Sequence, residues 1–214
     1  MYKIYVRPHL DYGDVIYHNQ SAESSDLLEA VQYQAALIVT GCWKGTSRDR
    51  LYNELGWESL SDRRHFRRLS LYYKINNNLA PPYLKSLARP FDRQNTSRFN
   101  NSYFPYCYHH WNILDNAIKN SSSLEIFKKK LLENIRPKRN SCFQIRDKKG
   151  VSIITKLRVN FSDLRDHRFR HNFNCISADC PCGADTESTM HFLLYCNRYH
   201  HQRSVLFIIK GYYS

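Results

Sequence analysis

The stretch CPCGADTESTMHFLLYC, residues 180–196, constrains this chain more than any other. It spaces three cysteines and a histidine as Cys180-x-Cys182-x8-His191-x4-Cys196. Zinc takes four tetrahedral ligands and favours thiolate and imidazole donors, and a short cysteine pair on a turn supplies two of them. Pro181 and Gly183 suit such a turn, since Gly183 is free to take a positive φ. Residues 187–194 read as a short helix with His191 on its inner face, and Phe192, Leu193 and Leu194 as a small apolar shell. Cys196 is the awkward ligand. Five residues along an α-helix rotate it about 140° from His191, so the helix must fray or bend back before it. A unit this small cannot fold on burial alone, whereas a structural zinc contributes on the order of 10–16 kcal/mol. The alternative is a set of small core cysteines beside a satisfied histidine, and Cys-x-Cys is one residue tighter than the commoner Cys-x2-Cys. Cys175 is a spare thiol that could replace Cys180, while Cys42, Cys107 and Cys142 are isolated and read as packing residues.

The remaining composition narrows the partners. The 214 residues suffice for one ordinary domain or two small ones, and 42% apolar with 14% aromatic content supports a packed core. Net charge is +13 and uneven: residues 1–120 carry 15 Lys+Arg against 11 Asp+Glu, whereas residues 121–214 carry 17 against 8. Such an excess favours a polyanion, either nucleic acid or an acidic membrane face. No apolar run approaches the ~20 residues of a membrane span. MYKIYVRPHLDYGD has charges where a signal peptide needs an apolar core, and seven cysteines is an odd number. The expectation is an intracellular protein, nuclear or cytoplasmic, neither secreted nor membrane-bound. Its start reads as entry into the middle of a larger protein.

Periodicity predicts mostly helices, with strand signals weak outside residues 1–17. The first helix, near 25–40, puts Leu27, Leu28, Val31, Ala35, Ile38 and Val39 on one face, with Ser25 or Asp26 as cap and Gly41 at its end. A second, 61–77, aligns Phe66, Leu69 and Tyr73. Arg63, Arg64, Arg67 and Arg68 lie roughly opposite, as either a solvated face or a phosphate-contacting one. Leu71 and Ile75 fall nearer the basic side, so the far end of that helix is expected to be buried all round. Residues 89–106 read as a linker or extended segment, followed by a short helix near 107–117. SSLEIFKKKLLENI offers a capping box of Ser122 with Glu125, a seam of Leu124, Phe127, Leu131 and Ile135, and Pro137 as the stop. Another helix, 149–160, turns Ile154, Leu157 and Phe161 inward and Lys156 and Arg158 outward, and 164–173 continues it after a bend.

Two further groupings bear on chemistry. Asp163, His167 and His171 recur at helical spacing, but Arg165, Arg168 and Arg170 share that helix. A basic or structural face fits better there than a second metal site. Asp11 and Asp14 look like paired acids, yet two-metal polymerase chemistry needs carboxylates converging from adjacent strands, and no third acid stands in a comparable context. There is no nucleophile–base signature, phosphate-cradling glycine loop or metalloprotease helix.

The N-terminal segment carries a series of residues with a family resemblance: Tyr2, Lys3, Arg7, Pro8, Leu10, Tyr12 and Gly13, then Leu28, Glu29, Val31 and Gln32. With the later stretches GTSRDRLYNELGWESLSDRR, NSYFPYCYHHWNIL, SSLEIFKKKLLENIRP, TKLRVNFSDLRDHRFRHNF and the Cys/His stretch, it resembles, over nearly the whole chain, the C-terminal region of LINE-type, jockey-like non-LTR retrotransposon reverse transcriptase polyproteins. The resemblance implies the tail of a polymerase thumb and a linker leading to a CCHC knuckle that helps hold template RNA and target DNA. Cys180, Cys182, His191 and Cys196 match the knuckle positions. Fingers, palm with its Tyr-x-Asp-Asp hairpin, and upstream endonuclease have no counterpart here, and eighteen residues after Cys196 are too few for a restriction-like nuclease domain.

The expected fold is therefore mainly α, with thumb-like and linker helices followed by a small zinc-knuckle-like C-terminal unit. The expected segments are 1–88 thumb-like, 89–120 irregular linker with a short helix, 121–174 basic and helical, and 175–214 knuckle and tail. The expected function is non-catalytic binding of RNA or DNA. The contacts would come from Arg63, Arg64, Arg67 and Arg68 and from the run 136–170, which holds 11 Lys+Arg against 3 acids: Lys138, Arg139, Lys148, Lys149, Lys156, Arg158, Arg165, Arg168 and Arg170 among them. In a full-length relative the missing palm would be a further partner. The rival is a zinc-stabilised structural or protein-interaction remnant. Exposure of Tyr103, Phe104, Tyr106 and Phe169 discriminates the two, because stacking on single strands needs rings beside the basic face.

Overall fold

The computed structural model describes residues 2–17, 21–88, 90, 96–133 and 147–209, with backbone alone at 17 and over 206–209. It is mainly helical, with no strand among the described residues. Residues 2–17 follow suit: a π-helical turn, Tyr2–Val6, leads into α1 (Arg7–Asp11) and α2 (Asp14–Tyr17). The chain sorts into two compact units that are discontinuous in sequence, in place of four successive segments. One comprises Met1–Ala36 and Tyr52–Asn140, the other Leu37–Leu51 and Ser141–Ser214. Two of the three crossings fall inside α3 (Ala22–Thr40) and α4 (Arg48–Leu55).

The first unit is organised by α5 (Leu60–Asn76), whose N-terminus is capped by the Ser59 hydroxyl accepting from Asp62 N–H. Its apolar face packs as expected. Leu69 and Tyr73 join Phe127 and Leu131 of α10 (Leu124–Glu133) in a buried cluster flanked by Phe66, Trp111, Leu114, Ile118 and Leu124. Tyr73 stacks on Phe127 at 4.5 Å and its hydroxyl donates to Ser121 O at 2.6 Å. The cap of α10 is Ser123, which accepts from Ile126 N–H, one residue later than expected. Ile135 and Pro137 lie outside the described residues. Between α5 and α10 come α6 (Pro82–Leu87), α7 (Ser97–Asn100), α8 (Tyr103–Ile113) and α9 (Asn116–Lys119). Residues 97–106, expected to be extended, are thus largely helical.

The α3 helix buries a different face from the expected one. Leu27, Val31, Ile38 and Val39 are exposed, while Gln32 and Ala36 are buried. The reason is polar. Glu29 accepts the Leu60 N–H at the start of α5, and Gln32 donates to Glu58 O at 2.9 Å while accepting from the Tyr2 hydroxyl at 2.8 Å. Tyr2 in turn stacks on Trp57 at 4.8 Å. These buried groups need partners more than the exposed leucine and valines need cover. The helix also starts at Ala22, with Ser21 accepting from Ser24 N–H, so neither Ser25 nor Asp26 is its cap.

In the second unit, α11 (Lys148–Arg158) buries Val151, Thr155 and Leu157, leaving Ile153 and Ile154 exposed. Leu157 and Phe161 are inward as expected, and Ile154 is not. The Lys156 ammonium lies 4.5 Å from the Trp43 ring, which itself meets Phe161 edge-on at 5.7 Å. Then follow α12 (Arg165–Arg170), a π-helical turn at His191–Tyr195, a 3-10 turn at Asn197–Tyr199 and α13 (His200–Ile209).

Four helices end alike. Gly56, Asn78, Asn160 and Asn172 take φ of 59°, 57°, 57° and 54°. The next residue, Trp57, Leu79, Phe161 or Phe173, returns its N–H five residues back, to Tyr52, Lys74, Lys156 or Arg168 O. This is the Schellman stop with its apolar follower.

The α8 helix brings a histidine cluster onto α5. His65 Nδ1 lies 2.8 Å from the Tyr106 hydroxyl, and the His65 and His110 rings meet edge-on at 4.9 Å. Burial, with help from His65 and His109, depresses the His110 pKa to about 4, and burial lowers that of His65. A histidine whose folded pKa lies below its unfolded ~6.5 takes up its proton on unfolding, so stability falls as pH drops from about 6.5 toward 4. Urea midpoints measured from pH 7 to pH 4.5 should decline, and His110→Phe should flatten part of that decline. An unchanged pH profile in His110→Phe would contradict this account.

Candidate metal centre and basic surfaces

A tight turn starts the metal centre. Gly183 N–H donates to Cys180 O at 2.9 Å, and Cys180 N–H donates to Ala184 O at 2.9 Å. Gly183 sits at φ 95°, the left-handed region expected of it. The second half is a π-helical turn in which Cys196 N–H donates to His191 O at 2.7 Å. The extra residue in such a turn returns position i+5 over position i. That removes the difficulty Cys196 presents on an α-helix.

Cys180, Cys182, His191 and Cys196 converge. Their ligand atoms all lie within 4.8 Å of one another, and they form the one such group among the described residues. Cys180 Sγ is 3.7 Å from Cys196 Sγ, and Cys182 Sγ is 3.2 Å from His191 Nε2. Tetrahedral zinc–sulfur bonds of ~2.3 Å set sulfurs ~3.8 Å apart, so the first pair already has the spacing of a coordination edge. Cys180 and Cys196 are buried and Cys182 is exposed. The Ala184 N–H pulls the Cys182 thiol down to about 7, while burial pushes Cys180 up to about 11. The four can hold a metal ion. Cys175 stays apart, donating to Ser177 O.

The surrounding contacts tie this turn to its neighbours. Arg203 of α13 donates to Cys196 O at 2.6 Å and Phe192 O at 3.3 Å. The buried Glu187 accepts Arg165 N–H at 2.9 Å, at the first residue of α12. The buried His167 accepts from Ser162 N–H at Nδ1, so its proton sits on Nε2, facing Thr189 Oγ1 at 3.4 Å. Burial, then Arg170, keeps it below its usual pKa. His167 is thus a neutral structural residue. None of Glu187, Arg203 or His167 stands out in the sequence as part of this site. The x4 spacing between His191 and Cys196 is the one signal that matches the i→i+5 turn.

The arginine stripe of α5 requires correction. Arg68 is 1% exposed and Arg64 5%, so neither presents its head to solvent. The Arg68 guanidinium lies 4.7 Å from the Tyr106 ring, and burial lowers its pKa to about 10. Arg63 is paired with Asp11 and lies near Glu58, and Arg67 reaches Asp14 at 3.4 Å and donates to Asp11 O at 2.9 Å. The stripe is not a solvated face: Tyr106 of α8 covers Arg68, Arg64 is buried with its guanidinium donating to Ser25 Oγ at 3.4 Å, and Asp11 and Asp14 pair with Arg63 and Arg67. Asp11 and Asp14 are the arginines' partners. Tyr103, Phe104 and Tyr106 are half-buried.

The C-terminal cations differ. Lys148, Lys149, Arg158, Arg165 and Arg170 are exposed, and Lys156 and Arg168 are half-buried. Lys138 and Arg139 lie outside the described residues. On α12, Arg165, Arg168 and Phe169 fall at i, i+3 and i+4, on the side away from the buried His167, and Phe169 is 47% exposed. Arg170 pairs with Asp166 at 2.6 Å. Among the described residues no helix is long and apolar enough to cross a membrane.

No protein-family model, curated protein or solved structure matches the chain.

Two outcomes are expected. Replacing Arg63, Arg64, Arg67 and Arg68 together by Gln strands Asp11 and Asp14 and should lower the thermal midpoint by about 6 °C or more. A melting curve superimposable on the parent's would restore the surface reading. Purified protein should bind ~1 equivalent of divalent metal. Cobalt(II) should give the charge-transfer and d–d bands of a thiolate-rich tetrahedral site. Cys182→Ser or His191→Ala should weaken binding, whereas Cys175→Ser should not.

Proposed function

We propose that this chain is a non-catalytic nucleic-acid-binding segment whose C-terminal knuckle is held by zinc, as its resemblance to the C-terminal part of non-LTR retrotransposon reverse transcriptases implies. The observation that carries the reading is the outer face of α12, where two arginines flank an exposed phenylalanine on a helix whose first residue, Arg165, bonds to Glu187 and Asp179 of the Cys/His segment. Cations there would neutralise phosphates while the ring stacks on an unpaired base. Three thiols and an imidazole favour zinc over harder cations, and a quartet with all four positions filled by protein suits a structural ion. Lys148, Lys149 and Arg158 extend the positive surface along α11. The surviving aromatic candidate is thus Phe169, while the aromatics of α8 serve packing.

The test is fluorescence anisotropy with single-stranded RNA and DNA across a salt series. Each neutralised phosphate contributes a log–log slope of ~0.7 on a single strand, so Arg165→Gln with Arg168→Gln should reduce the slope by up to about 1.4. Phe169→Ala should weaken binding by about 1–3 kcal/mol and leave the slope unchanged. Parent protein that shows no salt-dependent binding to either polymer would favour the rival reading, a zinc-stabilised structural or interaction element.

A further inference from the structure

Beside the knuckle, wholly within the second unit, lies a cleft of about 330 Å³ lined by Ile153, Lys156, Leu157, Ser162, Asp163, Leu164, Glu187, Phe192 and Tyr199. Ligand clefts run from about 300 Å³ upward, so this one suits a single planar ring system rather than a larger ligand. Its walls are mostly aliphatic and aromatic. Phe192 and Tyr199 stand edge-to-face with centroids 4.7 Å apart, which fixes both rings. Polar groups are few. Glu187 is committed to Arg165 N–H, and Ser162 Oγ lies 2.7 Å from His167 Nδ1. Asp163 differs: its residue is exposed, and its carboxylate has no hydrogen bond or ion pair among the described residues. Lys156 also lines the cleft, with its ammonium 4.5 Å from the Trp43 ring. The surroundings are cationic, with Lys148, Lys149, Arg158 and Arg165 on the flanking helices.

We propose that this cleft admits one unstacked base of the bound strand and that Asp163 makes it selective for guanine. The inference rests on the nucleic-acid reading above and adds a base preference to it. The reasoning is donor–acceptor matching. A carboxylate only accepts, and guanine is the base that sets two donors, N1–H and the N2 amino group, side by side on one edge. Adenine sets an acceptor, N1, beside its amino group, and uracil flanks its lone N–H with two carbonyls, so both turn an acceptor toward the carboxylate. Cytosine offers one amino donor and should rank between.

The experiment compares single strands of about twelve nucleotides, all uridine except for one central guanosine, adenosine or cytidine, by anisotropy at fixed salt. A bidentate contact predicts at least about fivefold tighter binding of the guanosine strand than of the adenosine or all-uridine strand. Asp163→Asn should bring the strands together while preserving the salt slope and the metal content, which shows that the fold and the phosphate contacts survive. Parent protein that binds all strands equally with the expected salt slope overturns the guanine inference and leaves nucleic-acid binding standing. A preference that persists in Asp163→Asn also overturns it. Absence of binding to every strand overturns both.

Discussion

The hydrogen bond from Cys196 N–H to His191 O decides whether residues 180–196 can act as one site. It closes a π-helical turn and so returns Cys196 to the side of the turn that carries His191. In an α-helix the same two residues would diverge by about 140°. Little else holds this segment. Between residues 175 and 199 the buried residues are Cys180, Glu187 and Cys196, too small a set to offset the chain entropy of ordering the segment. Two of those three are ligand candidates. A metal bound by the quartet would therefore supply what hydrophobic burial here does not.

The first unit solves the opposite problem, too much charge inside. Arg64 and Arg68 are buried together with Asp11 and Asp14, and several of these polar atoms lack hydrogen-bond partners. Burying charge costs several kcal/mol per ion unless paired, and pairing is what α1 and α2 provide to Arg63 and Arg67. The short N-terminal helices thus dock by their acids. Their apolar residues Ile4, Tyr5, Tyr12 and Ile16 remain exposed.

What the sequence made legible was local. The seam of Leu124, Phe127 and Leu131 and the alignment of Leu69 and Tyr73 follow from periodicity, and both meet in one core cluster. The metal quartet follows from donor type and spacing. What escaped depended on partners far along the chain. Gln32 is buried because Glu58 lies against it, and the first helix's apolar stripe gives no hint of that. Arg68 reads as surface until Tyr106, from another helix, covers it. Asn78, Asn160 and Asn172 end helices with little signal in the sequence, since asparagine marks a left-handed residue less strongly than glycine.

These two units put the net charge to different uses. In the first, Arg63 and Arg67 of α5 are paired with carboxylates, Arg68 lies over the Tyr106 ring and Arg64 is buried, so little of that cluster reaches solvent. The second unit, residues 37–51 and 141–214, carries 14 Lys+Arg against 7 Asp+Glu, and most of the cations on its α11 and α12 are exposed. Its α12 has no side-chain cap of its own. Glu187 serves instead, placing a carboxylate at the helix N-terminus where the dipole favours it, and Thr189 faces the buried His167. Both residues belong to the segment between Cys182 and His191. The geometry of the arginines on α12 is therefore set from within the knuckle, and an ion that orders the knuckle would order that face with it.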